Sequence, residues 1–178
     1  MVAAYNTFPS EGDYTYPIFV TRIEDSDGNV LGQFSDRRHE AISQDAAYAM
    51  IQMMRGVVDG GTGSRLRFRY GLSGAIAGKT GTTNDNSDGW FIGYTPTITA
   101  GVWVGAEDRY VHFNSTALGQ GANMALPIWG LWMKKVLADG NLGISSNDAF
   151  PARTNESFCH GDGYGSSAKD DLEDYYFE

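Results

Sequence analysis

The sequence is short of cysteine, of paired histidines, of basic charge and of long apolar runs, and each shortage removes a class of function. Cys159 is the one cysteine, so no internal disulfide can form. His39, His112 and His160 stand apart, with no two at metal-ligand spacing, so neither a metal nor another cofactor is expected. The 13 Lys and Arg against 22 Asp and Glu give a net charge of −9, which argues against a nucleic-acid partner. That excess is uneven: residues 1–150 carry 11 basic and 15 acidic side chains, residues 151–178 carry two and seven. The longest apolar run, 125–133, is about half of the roughly twenty residues a membrane span needs. Met1 is followed by no basic stretch, so no signal peptide is read at this start.

What is present suffices for a folded domain, with 42% hydrophobic residues in 178. The most informative stretch is Ala77-Gly78-Lys79-Thr80-Gly81-Thr82-Thr83, which places one lysine, two glycines and three hydroxyls in an extended segment. Lys79 offers a point charge and a proton-transfer group. Gly81 has no Cβ, so a substrate backbone could approach the strand and pair with it. Alternation puts the Thr80 and Thr82 hydroxyls on one face and Lys79 on the other, unless the strand twists. After the turn-rich Asn84-Asp85-Asn86-Ser87-Asp88-Gly89 come two aromatic and β-branched segments, 90–96 and 98–105, closed by Gly and Pro. The three segments predict an antiparallel meander headed by Lys79.

Elsewhere, residues 1–8 read as the end of a helix, stopped by Pro9 and Gly12. Residues 18–23 and 30–34 read as a hairpin around an Asp-Gly turn, where Asp25 and Asp27 lack the glycine and glutamate of a calcium loop. Asn84, Asn86 and Asp88 open like such a loop, but the twelfth position is Thr95, so turn chemistry is favoured there too. Ser43 is placed to cap a helix whose stripe, Ala46, Ala47, Met50, Ile51, Met54 and Val57 or Val58, is read as core up to Gly60-Gly61. Arg65, Arg67 and Arg69 alternate with Leu66 and Phe68, which predicts a short strand with a basic outer face. Residues 123–137 repeat apolar side chains at helical spacing, predicting a helix packed on the sheet, with Lys134 and Lys135 near its end. Beyond residue 150, Gly, Ser, Asn and acid dominate, and a flexible tail over 151–178 is expected after a stub at Phe150 and Pro151.

Taken together, A-G-K-T-G-T-T, D-x-W-F-x-G-Y-T-P, G-V-W-V-G and A-L-P-I-W in this order resemble the transpeptidase domain of class A, high-molecular-weight penicillin-binding proteins. The resemblance runs over about residues 1–136 and is most specific over 77–96. It implies an α+β fold of the penicillin-binding and β-lactamase type: an antiparallel sheet of the K-T-G strand and its two successors, packed by helices and here incomplete. Residues 1–150 would be the C-terminal portion of that domain.

The family's S-x-x-K nucleophile and S-x-N element, which precede K-T-G, have no counterpart upstream of Lys79. Ser166-Ser167-Ala168-Lys169 matches the first pattern but follows K-T-G in the acidic tail, and is taken as chance. The resemblance therefore implies part of a serine D,D-transpeptidase of peptidoglycan synthesis, inactive alone. It would bind stem peptides and β-lactams on the extracytoplasmic side, with the nucleophile and the membrane anchor in an upstream part of the polypeptide. Carried over residue by residue, Lys79 is the motif lysine, acting in the proton relay. Thr80, Gly81, Thr82 and Thr83 face the substrate, and the Thr82 backbone N–H is one oxyanion donor. Asp88, Trp90, Thr62 and Gly63 are candidates to support them from behind. An isolated half-domain is expected to self-associate. The alternatives are a β-lactamase or D,D-carboxypeptidase relative, and a non-catalytic binding or scaffold module.

Overall fold

The computed structural model describes residues 1–152. Along the chain lie α1 (Val2–Asn6), β1 (Asp13–Thr15), β2 (Arg22–Glu24), β3 (Val30–Gln33), β4 (Arg38–Glu40), α2 (Gln44–Asp59), α3 (Arg65–Phe68), β5 (Ala77–Thr82), β6 (Asp88–Tyr94), β7 (Thr99–Gly105), α4 (Thr116–Gly119) and α5 (Gly121–Ala138). The architecture is α+β, and the sheet that matters is the antiparallel meander β5-β6-β7. Its register pairs Lys79 with Ile92, Thr80 with Phe91, Gly81 with Trp90, and Trp90 in turn with Trp103. Aromatic and β-branched partners across the pairs are the kind that hold a pleated sheet together.

Two helices hold the meander. Ser43 starts α2 with its hydroxyl, which accepts the Ala46 N–H at 3.3 Å. The expected stripe is buried at Ala47, Ile51, Met54 and Val58. It feeds two apolar clusters. Val58 joins Phe91, Leu66 and Trp129, whereas Ile51 and Met54 join Ala77 and Tyr94, so α2 lies along the β5 side of the sheet and reaches both faces. In the second cluster the Tyr94 hydroxyl donates to Met54 Sδ at 3.2 Å. Burial first, and Tyr5 second, push that phenol well above its ordinary range. Helix α5 crosses the Phe91 face of the meander. Trp129, fully buried, meets Phe91 edge-on at 5.3 Å and donates its indole N–H to the Ala100 carbonyl at 3.2 Å. Pro127 sits inside this helix, which continues through it because Met124, Ala125, Trp129, Met133 and Val136 are all anchored in the core.

The expected helix over 123–137 starts two residues earlier, at Gly121. The hairpin over 18–34 forms around its turn, but its strands shorten to three and four residues. One expectation is overturned: residues 65–69 form no strand. Leu66 alone is buried there and Phe68 is exposed, while Arg67 turns back to Asp59 at 2.6 Å and to the Leu72 carbonyl at 3.1 Å. A single turn of helix satisfies these contacts and an extended strand would not. Phe150 packs edge-on against Tyr94 at 5.8 Å. Of the tail expected to be flexible, residues 153–178, with Ser166 and Lys169, lie outside the described residues.

Candidate active-site edge

Among the described residues β5 is an edge strand, and the bond from the Thr83 N–H to the Asp88 carbonyl at 3.1 Å sets the phase of its ladder. In an antiparallel pair, hydrogen-bonded and non-hydrogen-bonded residues alternate. Counting back, Gly81 and Lys79 direct their backbone groups at β6, whereas Thr80 and Thr82 turn N–H and C=O outward. Lys79 uses that outward carbonyl: its Nζ donates to the Thr80 oxygen at 2.7 Å. The lysine side chain thus starts from the face opposite the two hydroxyls, and its ammonium ends at the open edge.

The hydroxyls are held from two sides. Thr80 Oγ1 lies 2.8 Å from Thr62 Oγ1, in the link between α2 and α3. Thr82 Oγ1 accepts the Gly121 N–H at 2.9 Å, at the first residue of α5. Nothing larger than glycine fits at Gly121, since an added Cβ would stand 2.2 Å from the Gly81 carbonyl oxygen. Arg65 fixes the same corner by donating to the Ala122 carbonyl at 3.3 Å.

Gly81 itself is tight on its protein side: an added Cβ would meet Trp90 Cβ at 3.2 Å, so the residue relieves cross-strand crowding whatever approaches from outside. Trp90 leans on Trp103, with ring centres 6.5 Å apart. Thr83 differs from Thr80 and Thr82. Its hydroxyl lies 2.9 Å from Ser87 Oγ and 3.1 Å from Asp88 Oδ2, and accepts the Asp88 N–H at 3.0 Å. It closes the turn in which Asp85 and Asn86 have φ of 59° and 55°, and so do the Asp88 carboxylate and backbone. Gly63 donates its N–H to the Val57 carbonyl at 2.9 Å and shapes the link that carries Thr62.

The structure therefore gathers Thr62, Thr80, Thr82 and the start of α5 on one face, brings the Lys79 ammonium to the edge between faces, and keeps Thr83 with Asp88 in the turn. Reading the sequence alone did not single out Gly121. The glycine-flanked G-Q-G-A-N before an apolar helix is the signal that could have marked a close approach there. Beside the turn, an apolar cavity of about 300 Å³ is lined by Ser87, Val104, Met124, His112 and Phe113. Among the described residues, no helix is long and apolar enough to cross a membrane.

Comparison with known proteins bears on the same stretch. The family model for the penicillin binding protein transpeptidase domain matches residues 1–117. Penicillin-binding protein 1A of Clostridium acetobutylicum is 38% identical over 150 residues, 84% of this chain but 17% of that protein. Among solved structures, penicillin-binding protein 1A from Haemophilus influenzae superposes with a TM-score of 0.68 at 20% identity, covering 78% of this chain and 26% of that one. The penicillin-binding protein PonA1 from Mycobacterium tuberculosis gives 0.64 at 28% identity, covering 86% and 41%. The α+β arrangement is thus the fold of these proteins, and the chain spans under a fifth of the Clostridium relative's length.

Proposed function

The chain belongs to the penicillin-binding protein transpeptidase family, and on that premise we propose that it forms the K-T-G wall of the active site of a peptidoglycan D,D-transpeptidase. The observation that supports this reading best is the open edge of β5. There the outward backbone groups of Thr80 and Thr82, two hydroxyls and the Lys79 ammonium meet along three residues.

An extended stem peptide ending in D-alanyl-D-alanine would pair with residues 80–82 as an added strand. Thr80 and Thr82 then hydrogen-bond its terminal carboxylate, and the outward Thr82 N–H is one of the two oxyanion donors. Lys79 stabilises the substrate anion and takes part in the proton relay that activates the nucleophile. The serine nucleophile, the second oxyanion donor and the S-x-N serine come from outside these 178 residues. The serine hydroxyl attacks the penultimate carbonyl and its proton passes through the relay to the departing D-alanine amine. An amine of a neighbouring strand then takes the acyl group and frees the serine. A penicillin acylates the same serine and stalls. In this scheme Thr83 and Asp88 act on the turn, Trp90 supports Gly81, and Gly63 shapes the link that carries Thr62. The reaction belongs on the extracytoplasmic face of the membrane, anchored through an upstream part of the polypeptide.

A chain that supplies one wall without the nucleophile forms no covalent adduct. Intact-mass spectrometry after exposure to a fluorescent penicillin is expected to show the 178-residue chain unmodified and the complete polypeptide modified once. A stoichiometric adduct on the shorter chain, at Ser166 for instance, would overturn the division of the site proposed here. Trp103, Ile128, Leu131 and Trp132 are exposed, and among the described residues β5 and β7 are the edges of the meander. The isolated chain is accordingly expected to dimerise at micromolar concentration. A monomer by light scattering would show that these faces tolerate water.

A further inference from the structure

We propose that Thr62 is a positioning residue that decides which way the Thr80 hydroxyl points its proton, and thereby makes Thr80 a donor to the substrate carboxylate; this rests on the reading of the β5 edge given above. The two hydroxyl oxygens are 2.8 Å apart, and each carries a single proton. In the free pair either one can donate. A carboxylate only accepts, so its arrival selects one order: Thr62 donates to Thr80, and Thr80 donates to the anion. Proton donation in series polarises each bond in turn.

Thr82 displays the same arrangement with no ambiguity. Its oxygen accepts from the Gly121 N–H, a group that can only donate, so the Thr82 proton is left for an outside acceptor. Alternate residues of a strand are about 6.8 Å apart. One carboxylate with a hydrogen bond of about 2.7 Å on either side fills that span. Thr62 thus does for Thr80 what the head of α5 does for Thr82.

The position of Thr62 is set by backbone and does not depend on its own side chain. Gly63 N–H donates to the Val57 carbonyl at 2.9 Å and Ser64 N–H to the Gly61 carbonyl at 3.1 Å. An added Cβ at Gly61 would approach Val57 Cα to 2.9 Å, so the link is wound tightly onto the end of α2. Fully buried Val58 and Leu66 pin the link on both flanks. Thr62 itself is exposed, so replacing its hydroxyl leaves the core untouched.

The experiment measures acylation of the complete polypeptide by benzylpenicillin and by its methyl ester, in which the carboxylate charge is gone. Thr62→Val is expected to raise the benzylpenicillin concentration for half-maximal acylation roughly 3- to 10-fold, as for loss of one hydrogen bond, with the limiting rate and melting temperature unchanged. Thr62→Ser, which keeps the hydroxyl, should restore the wild-type value within about twofold, the scatter of a conserved hydrogen bond. With the ester, whose carbonyl accepts only a weaker neutral hydrogen bond, Thr62→Val should shift the half-maximal concentration by clearly less than with benzylpenicillin. Equal behaviour of Thr62→Val and wild type on benzylpenicillin overturns the proposal, and so does a loss of the same size on both substrates, which would mark a structural role. A wild type that acylates acid and ester alike would instead overturn the carboxylate reading of β5 on which the proposal stands.

Discussion

Residues 77–105 and residues 18–34 are both antiparallel strand-turn-strand segments, yet only the first has a helix laid across it. The meander has strands of six and seven residues, and β6 is buried through most of its length. In the hairpin β2 is exposed at every residue, and Phe19, Leu31 and Phe34 are 93%, 68% and 53% exposed. The hairpin is held by its turn: the Asp25 carboxylate accepts the Asn29 N–H at 2.8 Å, the Asn29 side chain at 2.9 Å and the Asp27 N–H at 3.0 Å. Turn chemistry therefore closes a pair of strands, but burying one face is what extends and rigidifies them. The proposed site follows that division, since an anion-binding edge that must hold its geometry sits on the covered sheet.

Removing the cover is the severest test of this contrast. Trp129→Ala deletes a fully buried side chain that touches both Phe91 and the Ala100 carbonyl. A loss of about 3–5 kcal/mol in unfolding free energy is expected from the denaturant midpoint of the 178-residue chain. Leu31→Ser in the hairpin should change the same quantity by less than about 0.5 kcal/mol. Comparable losses at the two positions would mean that the hairpin carries load that its exposure does not suggest.

The smallest expected effect is a pH dependence confined to the hairpin. Hydrogen bonds from the Asn29 side chain, then the Asn29 backbone, with smaller contributions from Asp27 and Gly28, hold the Asp25 carboxyl below its ordinary value of 3.8. Because the folded value lies below the unfolded one, the stabilisation is complete above that ordinary value and is lost as pH falls through the folded value. Acid titration followed by NMR should loosen the turn at residues 25–29 below pH 3.8 while the amides of Phe91 and Ile92 stay protected. Asp25→Ala should abolish that local transition. A turn that keeps its shifts to the lowest pH would assign its stability to the backbone bonds alone.

Much of this arrangement was legible in the chain, for reasons that differ by element. The meander shows because its strands combine aromatic and β-branched residues with Gly and Pro stops, and α2 because a serine cap and an apolar stripe agree. Segment 65–69 misleads because R-L-R-F-R alternates as a strand would. What settles it is the fold around it, where Leu66 is drawn into the core and Arg67 returns to Asp59. The Thr83 hydroxyl could not be assigned from spacing either, since two left-handed residues in the following turn bring it onto Asp88. The contact of Gly121 with Thr82 joins residues 39 apart, beyond the reach of any local pattern. The motif K-T-G gives the residue types of the proposed site, and the ladder phase and helix placement determine which of their groups face outward.

The most direct test of the proposed K-T-G wall is the rate at which a complete polypeptide carrying Lys79→Ala is acylated by penicillin. Lys79 is exposed and its Nζ meets only the edge carbonyl of Thr80 in the hydrogen bonding described above, so the melting profile should stay as in wild type. Loss of a charge that acts in the transition state should slow acylation by roughly two to four orders of magnitude. Wild-type kinetics in that variant would make Lys79 an ordinary solvated strand lysine and contradict the account.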